Sequence, residues 1–214
     1  MITSVIFDLD GLLADTERLH CQANQDVLEQ YDLTVTDAQF AEHWVRGGKG
    51  ISEWIQENKL PLDIPLIRKQ KSERYLELVE SSVQPMEGAL ALLEQLSGKM
   101  TLALASSAYH DWVHCVLKCL NITHYFQEIV SGDSVSRLKP FPDIFLYTAQ
   151  KLGVEPSECV VLEDAEKGVL AARRAGMYCI VVPNPYTQGN DFSQATRVVS
   201  SLHEITLELL RALT

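Results

Sequence analysis

The chain has 214 residues, of which 46% are hydrophobic and 22% charged, and it carries a formal net charge of −11. That length suits one moderate domain or a core with a smaller insert, and the composition excludes disordered and repeat architectures. The acidic balance argues against nucleic acid as the main partner, and with no apolar run of about 18 residues a membrane span is not expected.

The first residues place no basic segment before their apolar run, so the expectation is an unexported, soluble, cytoplasmic protein, monomeric by default. Its five cysteines, Cys21, Cys115, Cys119, Cys159 and Cys179, are odd in number and form no C-x-x-C pair. They read as free, mostly buried thiols rather than a disulfide framework.

Ser4-Val5-Ile6-Phe7 reads as a buried strand of a parallel sheet, followed at once by Asp8-Leu9-Asp10-Gly11. Strand period places Asp8 and Asp10 on one side, about 6–7 Å apart. Two carboxylates 4 Å apart repel by about 4 kcal/mol at an effective dielectric of 20, so the pair asks for a cation. Gly11 permits the sharp turn that follows.

Residues 16–83 read as helical throughout. Helical periodicity covers 16–30, and Thr36-Asp37-Ala38-Gln39 is a capping box opening a second helix through Trp44. Arg46-Gly47-Gly48-Lys49-Gly50 interrupts the pattern, and further helices are expected over 51–58 and 65–79. From Gln84 the pattern becomes alternation: helix 87–96, strand 101–105, helix 109–120, strand 128–131, helix 141–152, strand 159–162, helix 165–175, strand 178–182 and a closing helix 202–210. Alternation of this kind predicts an α/β, Rossmann-like core with a parallel sheet, and sites at the carboxyl ends of its strands. The expected division is residues 1–14 with 84–214 as the core, and 15–83 as an inserted all-α domain.

Three later segments carry polar residues where the chemistry of a strand end is expected. Ser106 follows the strand Leu102-Ala103-Leu104-Ala105 and can donate to an anion. Lys139 sits between Arg137-Leu138 and Pro140-Phe141-Pro142-Asp143, where the prolines stiffen the segment that aims its ammonium. Glu163-Asp164 follows Val160-Val161-Leu162. With Asp8 and the backbone carbonyl of Asp10, they make an oxygen-rich, histidine-free set suited to Mg²⁺.

These segments resemble, in order, the four motifs of the haloacid dehalogenase superfamily, and most nearly its β-phosphoglucomutase-like branch. D-x-D-G-x-x-x-D-T is the first, Ser106 the second and K-P-x-P-D the third; the fourth runs from Glu163-Asp164 through Gly168, Ala171, Ala172, Ala175, Gly176 and Met177. The resemblance implies a helical cap inserted after the first strand and closing over the site, with residues 14–16 as its hinge. It implies Asp8 as the nucleophile of an aspartyl-phosphate intermediate and Asp10 as general acid/base. Ser106 and Lys139 would hold phosphate, and Asp8, Asp10, Glu163 and Asp164 would bind Mg²⁺. The chain departs from the family at Leu138, where Gly is frequent, and at Ala165, where many relatives have Ser.

In the cap, Arg46 and Lys49 either hold a carboxylate or second phosphate of the substrate or belong to a solvated turn. His20 matches a histidine common in the branch, or is a helix residue packed at the hinge. Asp10 disfavours dehalogenase chemistry. A mutase must also grip a second phosphate, and the residues at that position are Ala108 and Tyr109, neither of them cationic. The favoured reading is therefore a Mg²⁺-dependent phosphatase acting on a small phosphorylated metabolite. A β-phosphoglucomutase-like mutase and a non-enzymatic binding module stay open as alternatives.

Overall fold

The computed structural model describes residues 1–213. It divides into two compact units, residues 1–15 with those from Gln84 onward, and Thr16–Val83.

The first unit is built on a six-stranded sheet. Its strands are β1 (Ser4–Phe7), β2 (Thr101–Ala105), β3 (Glu128–Val130), β4 (Cys159–Glu163), β5 (Tyr178–Val181) and β6 (Arg197–Val198). They lie in the order β3-β2-β1-β4-β5-β6, and every pairing is parallel. The central strands are buried on both faces, which explains their near-continuous apolar sequences. The helices are α5 (Ala89–Leu96), α6 (His110–Cys119), α7 (Asp143–Leu152), α8 (Glu166–Arg174) and α9 (Leu207–Arg211). Ile144, Phe145 and Ala149 of α7 and Val169, Ala171 and Ala172 of α8 form one core with Ile6, Ala103, Ala105 and Val161 of the sheet.

Register does the positioning. Phe7 pairs with Leu104 on one side and with Leu162 on the other, so β1, β2 and β4 end at the same level. The next residues, Asp8, Ala105-Ser106 and Glu163-Asp164, therefore emerge side by side. Because the chain visits β2 and β3 on one side of β1, and β4 and β5 on the other, this is also where the strand order switches and a crevice opens.

In the second unit, α1 (Glu17–Glu29) packs on α4 (Ile64–Ser82), and α3 (Ile51–Glu57) packs on the same helix. Leu19, Ala23, Val27 and Leu28 of α1 and Ile67, Tyr75 and Val79 of α4 are buried at helical spacing. The capping box at Thr36 is present, opening α2 (Asp37–Phe40).

Beyond shifts of a few residues at helix ends, the sequence reading lacks the edge strand β6, and three further differences change an element or a unit. The second helix is α-helical only to Phe40 and continues as a π-helix over Ala41–Arg46, closed by Gly47 N–H donating to the Glu42 carbonyl at 2.9 Å. The closing helix is broken into a 3₁₀ turn at Leu202–Glu204 and α9, because Thr206 starts a new cap by accepting from the Leu209 N–H at 3.1 Å. Asp15 belongs to the sheet unit rather than the helical one: its N–H donates to the Gln84 carbonyl at 2.9 Å, and Ala14 bridges to Pro85. No helix among the described residues is long and apolar enough to cross a membrane.

Candidate active site

The ladder of β1 extends one residue beyond the strand, with the Asp8 N–H donating to the Leu162 carbonyl at 3.0 Å. There the extended path ends. Leu9 accepts from both Leu13 and Ala14, and the Gly11 N–H donates to the Ala14 carbonyl at 2.9 Å. Gly11 takes φ +78°, a conformation closed to most side chains. Strand period consequently does not govern Asp10, which lies in the turn.

Lys139, brought in by the segment before α7, is the electrostatic centre of the site. Its ammonium donates to Asp8 Oδ1 at 2.5 Å, to Glu163 Oε1 at 2.7 Å and to the Ala105 carbonyl at 2.9 Å. All three donors of the ammonium are satisfied while the side chain is 1% exposed. The Phe145 ring lies beneath it at 4.8 Å. Burial opposes its charge, yet the flanking Asp8 and Glu163 carboxylates hold its pKa above the ordinary lysine value.

Glu163 is fully engaged within the chain. Oε1 accepts from Lys139, and Oε2 accepts from the backbone N–H of Asp164 at 3.1 Å and of Ala165 at 3.4 Å. Burial raises its pKa, Lys139 pulls it down, and the charge of Asp8 adds to the rise. Gly168, one turn into α8, makes room for it: a Cβ there would sit 1.9 Å from the carboxylate.

Ser106 Oγ donates to Asp10 Oδ2 at 2.9 Å and accepts from the Ala108 N–H at 3.0 Å. The hydroxyl expected to face phosphate thus orients the second aspartate in this structure.

Carboxylate oxygens of Asp8, Glu163 and Asp164, all buried, lie within 4.8 Å of one another. An all-oxygen, anionic pocket of this size fits a hard divalent cation. The Asp10 carboxylate is not part of that cluster, so its share in metal binding would fall to its backbone carbonyl.

The expected cap residues are held within their own unit. Arg46 Nη1 donates to Glu42 Oε2 at 2.8 Å, and Lys49 Nζ to Glu57 Oε1 at 2.5 Å. His20 stacks on Tyr75 at 3.9 Å, with Nδ1 2.9 Å from Lys71 Nζ.

Two asparagines of the loop after β5 are absent from the sequence reading, one inside the sheet-side site and one beside it. Asn184 Nδ2 donates to Asp164 Oδ2 at 2.7 Å and to the Gly11 carbonyl at 3.1 Å. Asn190 Oδ1 accepts from the Glu166 N–H at 3.2 Å, supplying the cap that Ala165 cannot. The signal for Asn184 was available: a polar residue between Pro183 and Pro185, just past the apolar strand β5.

The family model for haloacid dehalogenase-like hydrolases matches residues 5–182. The chain belongs to that family. Among curated relatives of these hydrolases, fructose-1-phosphate phosphatase YqaB of Escherichia coli is 34% identical over 182 residues, covering 83% of this chain and 95% of its own. The crystal structure of CbbY from Rhodobacter sphaeroides in complex with phosphate superposes with a TM-score of 0.89 at 30% identity, over 99% of this chain and all of that one. A mutant of that protein has been captured with xylulose-1,5-bisphosphate, and it matches at a TM-score of 0.88 and 30% identity, over 98% of this chain and 99% of that one. As a haloacid dehalogenase-like hydrolase of the phosphatase type the chain is an enzyme, and the non-enzymatic alternative falls.

Proposed function

We propose that this hydrolase removes phosphate from a small phosphorylated sugar or similar metabolite through an aspartyl-phosphate on Asp8, with Mg²⁺ as cofactor. The observation that carries the reading is the Asp8–Lys139–Glu163 network, which buries the Asp8 carboxylate at a strand end against one ammonium that it shares with a second carboxylate. Names of relatives support the substrate class: YqaB is a fructose-1-phosphate phosphatase, and CbbY was crystallised with a sugar bisphosphate.

Asp8 Oδ would attack the phosphorus while the bond to the substrate oxygen breaks, and protonated Asp10 would give its proton to the departing alkoxide. Ser106, which donates to Asp10 Oδ2, would hold that carboxyl in line. Ionised Asp10 would then take a proton from water as the water oxygen attacks the phosphorus, freeing phosphate and restoring Asp8. Lys139 would balance negative charge on the transferring group. Asp8, Asp164 and the Asp10 carbonyl would hold the cation, with Glu163 at their side; when bound, it supplies positive charge that draws the phosphate against the Asp8 carboxylate.

Water is preferred over a second sugar phosphate as acceptor because Ala108 and Tyr109 give no cation for a second phosphate. The test is a panel of phosphorylated metabolites with Mg²⁺, reading released phosphate. Turnover of one or a few sugar phosphates to stoichiometric free phosphate is expected. Isomerisation that depends on a bisphosphate activator, with little phosphate released, overturns it in favour of a mutase.

A further inference from the structure

The loop after β5 wraps the corner where β4 becomes α8. Asn184, 5% exposed, sits at its root and ties three segments together. Its amide orientation is determined by its partners. Oδ1 accepts from the N–H groups of Tyr186 at 2.9 Å and Thr187 at 3.2 Å, so this end can only be the oxygen. Nδ2 must then point the other way, and its two protons go to Asp164 Oδ2 and to the Gly11 carbonyl. The Asn184 N–H donates to Thr187 Oγ1 at 3.0 Å, closing the turn on itself.

We infer that Asn184 is a positioning residue for the cation site, fixing the rotation of the Asp164 carboxylate relative to Asp8 through one donated hydrogen bond and the placement of the Gly11 turn through the other. The inference rests on the proposed cation site. Two independent features point to it. The side chain is buried with all four amide hydrogen-bond positions filled, an arrangement with one solution rather than several. And Gly11 lies so close to this pair that a Cβ would stand 2.5 Å from Asn184 Nδ2 and 2.6 Å from Asp164 Oδ2. Partners of this kind, one step out from a metal ligand, change cation affinity by roughly 10- to 100-fold when removed. Asn190 in the same loop provides the contrast. It touches the helix backbone at Glu166 rather than a carboxylate of the cluster.

The test uses the full chain and Mn²⁺ as the probe, with binding read by calorimetry, alongside the Mg²⁺ activation constant and the KM for p-nitrophenyl phosphate. Asn184→Ala should weaken Mn²⁺ binding and raise the Mg²⁺ activation constant by roughly tenfold or more, with KM at saturating Mg²⁺ within about twofold of wild type. Asn190→Ala should lower thermal stability and leave both cation constants unchanged. If Asn184→Ala does not fold, Thr187→Val, which loosens the loop but keeps the amide, should move the cation constants in the same direction by a few-fold. A wild-type chain that binds no Mn²⁺ removes the cation site itself and the inference with it. A wild type that binds, beside a folded Asn184 or Thr187 variant that binds equally well, overturns the positioning role alone.

Discussion

Two sets of charged side chains, one in each unit, are handled in opposite ways. In the sheet unit, Asp8, Lys139, Glu163 and Asp164 are buried and draw partners from strand ends far apart in sequence. In the helical unit, Arg46 and Lys49 are half-exposed and answered by Glu42 and Glu57, both close in sequence. A buried charge costs several kcal/mol unless its partners stand in fixed places, so the first arrangement is rigid by necessity. An exposed pair contributes about 0–1 kcal/mol and is readily exchanged for other partners. The proposed chemistry draws on the fixed set, whereas the pairs of Arg46 and Lys49 are cheap to rearrange.

The contrast is broken most directly at Asp8. Asp8→Asn should lower turnover by on the order of 10³-fold or more while the chain stays folded, since the amide keeps the shape but is no nucleophile. Phosphate release in steady-state assays with circular dichroism as the folding control measures this, and activity near wild type would sink the nucleophile assignment.

Gly168→Ala comes next and sets two effects against each other. Alanine in a helix is favoured over glycine by about 1 kcal/mol. The new Cβ would meet the Glu163 carboxylate at 1.9 Å, however, and that carboxylate cannot move without abandoning Lys139. The clash wins, giving a net loss of about 1–3 kcal/mol in denaturant unfolding and at least roughly tenfold in activity. A variant as stable and active as wild type would show that Glu163 is less tightly held than its hydrogen bonds indicate.

A smaller effect compares the interiors of the two units through their thiols. Burial, with Asp37 nearby, pushes Cys21 of the helical unit up to about 12, and burial with Glu158 pushes Cys159 of the sheet unit up to about 11, both from an ordinary 9.0. The folded chain keeps these protons between pH 9 and 11, where the unfolded chain loses them. Stability from this source is therefore fully present below pH 9 and declines as pH rises through 11 and 12. At pH 8, exposed Cys119 should react with a thiol reagent well before Cys21 and Cys159, and the alkaline fall in unfolding midpoint should be shallower in Cys159→Ala. Rapid labelling of Cys21 alone would mark the helical unit as the looser one.

Arg46→Ala should change stability least, by about 0.5 kcal/mol or less, because its pairing with Glu42 is an exposed i,i+4 contact. Activity on the preferred substrate is then the informative readout. A loss there without a stability change would give Arg46 the substrate role left open by its sequence context.

Strands β1 to β5 were legible because each is a short apolar run with a polar break, whereas β6 is an exposed Arg-Val pair with no such run, and the candidate residues at Asp8, Ser106 and Glu163-Asp164 sit one step past such runs. Lys139 was legible through its prolines. Less visible was what these residues do to one another. Ser106 turns to Asp10, and Glu163 spends its oxygens on Lys139 and two backbone N–H groups. The π-turn at Ala41–Arg46 and the break before α9 are not legible because each spans only a few residues, too short a window for hydrophobic period to tell it from a continuous α-helix.

Local sequence alone determined which residues form β1 to β5 and which polar groups stand at their ends, because an apolar run and the residue after it are neighbours along the chain. It also determined that the middle segment is helical, through its periodicity and the cap at Thr36. Only the tertiary structure decided partnership. Lys139 reaches Asp8 across 131 positions and Asn184 reaches Gly11 across 173, distances over which a chain carries no local pattern. Those pairings exist because parallel strands in register end at one level, and a buried charge or amide at that level is stable only where a complementary group from another segment meets it.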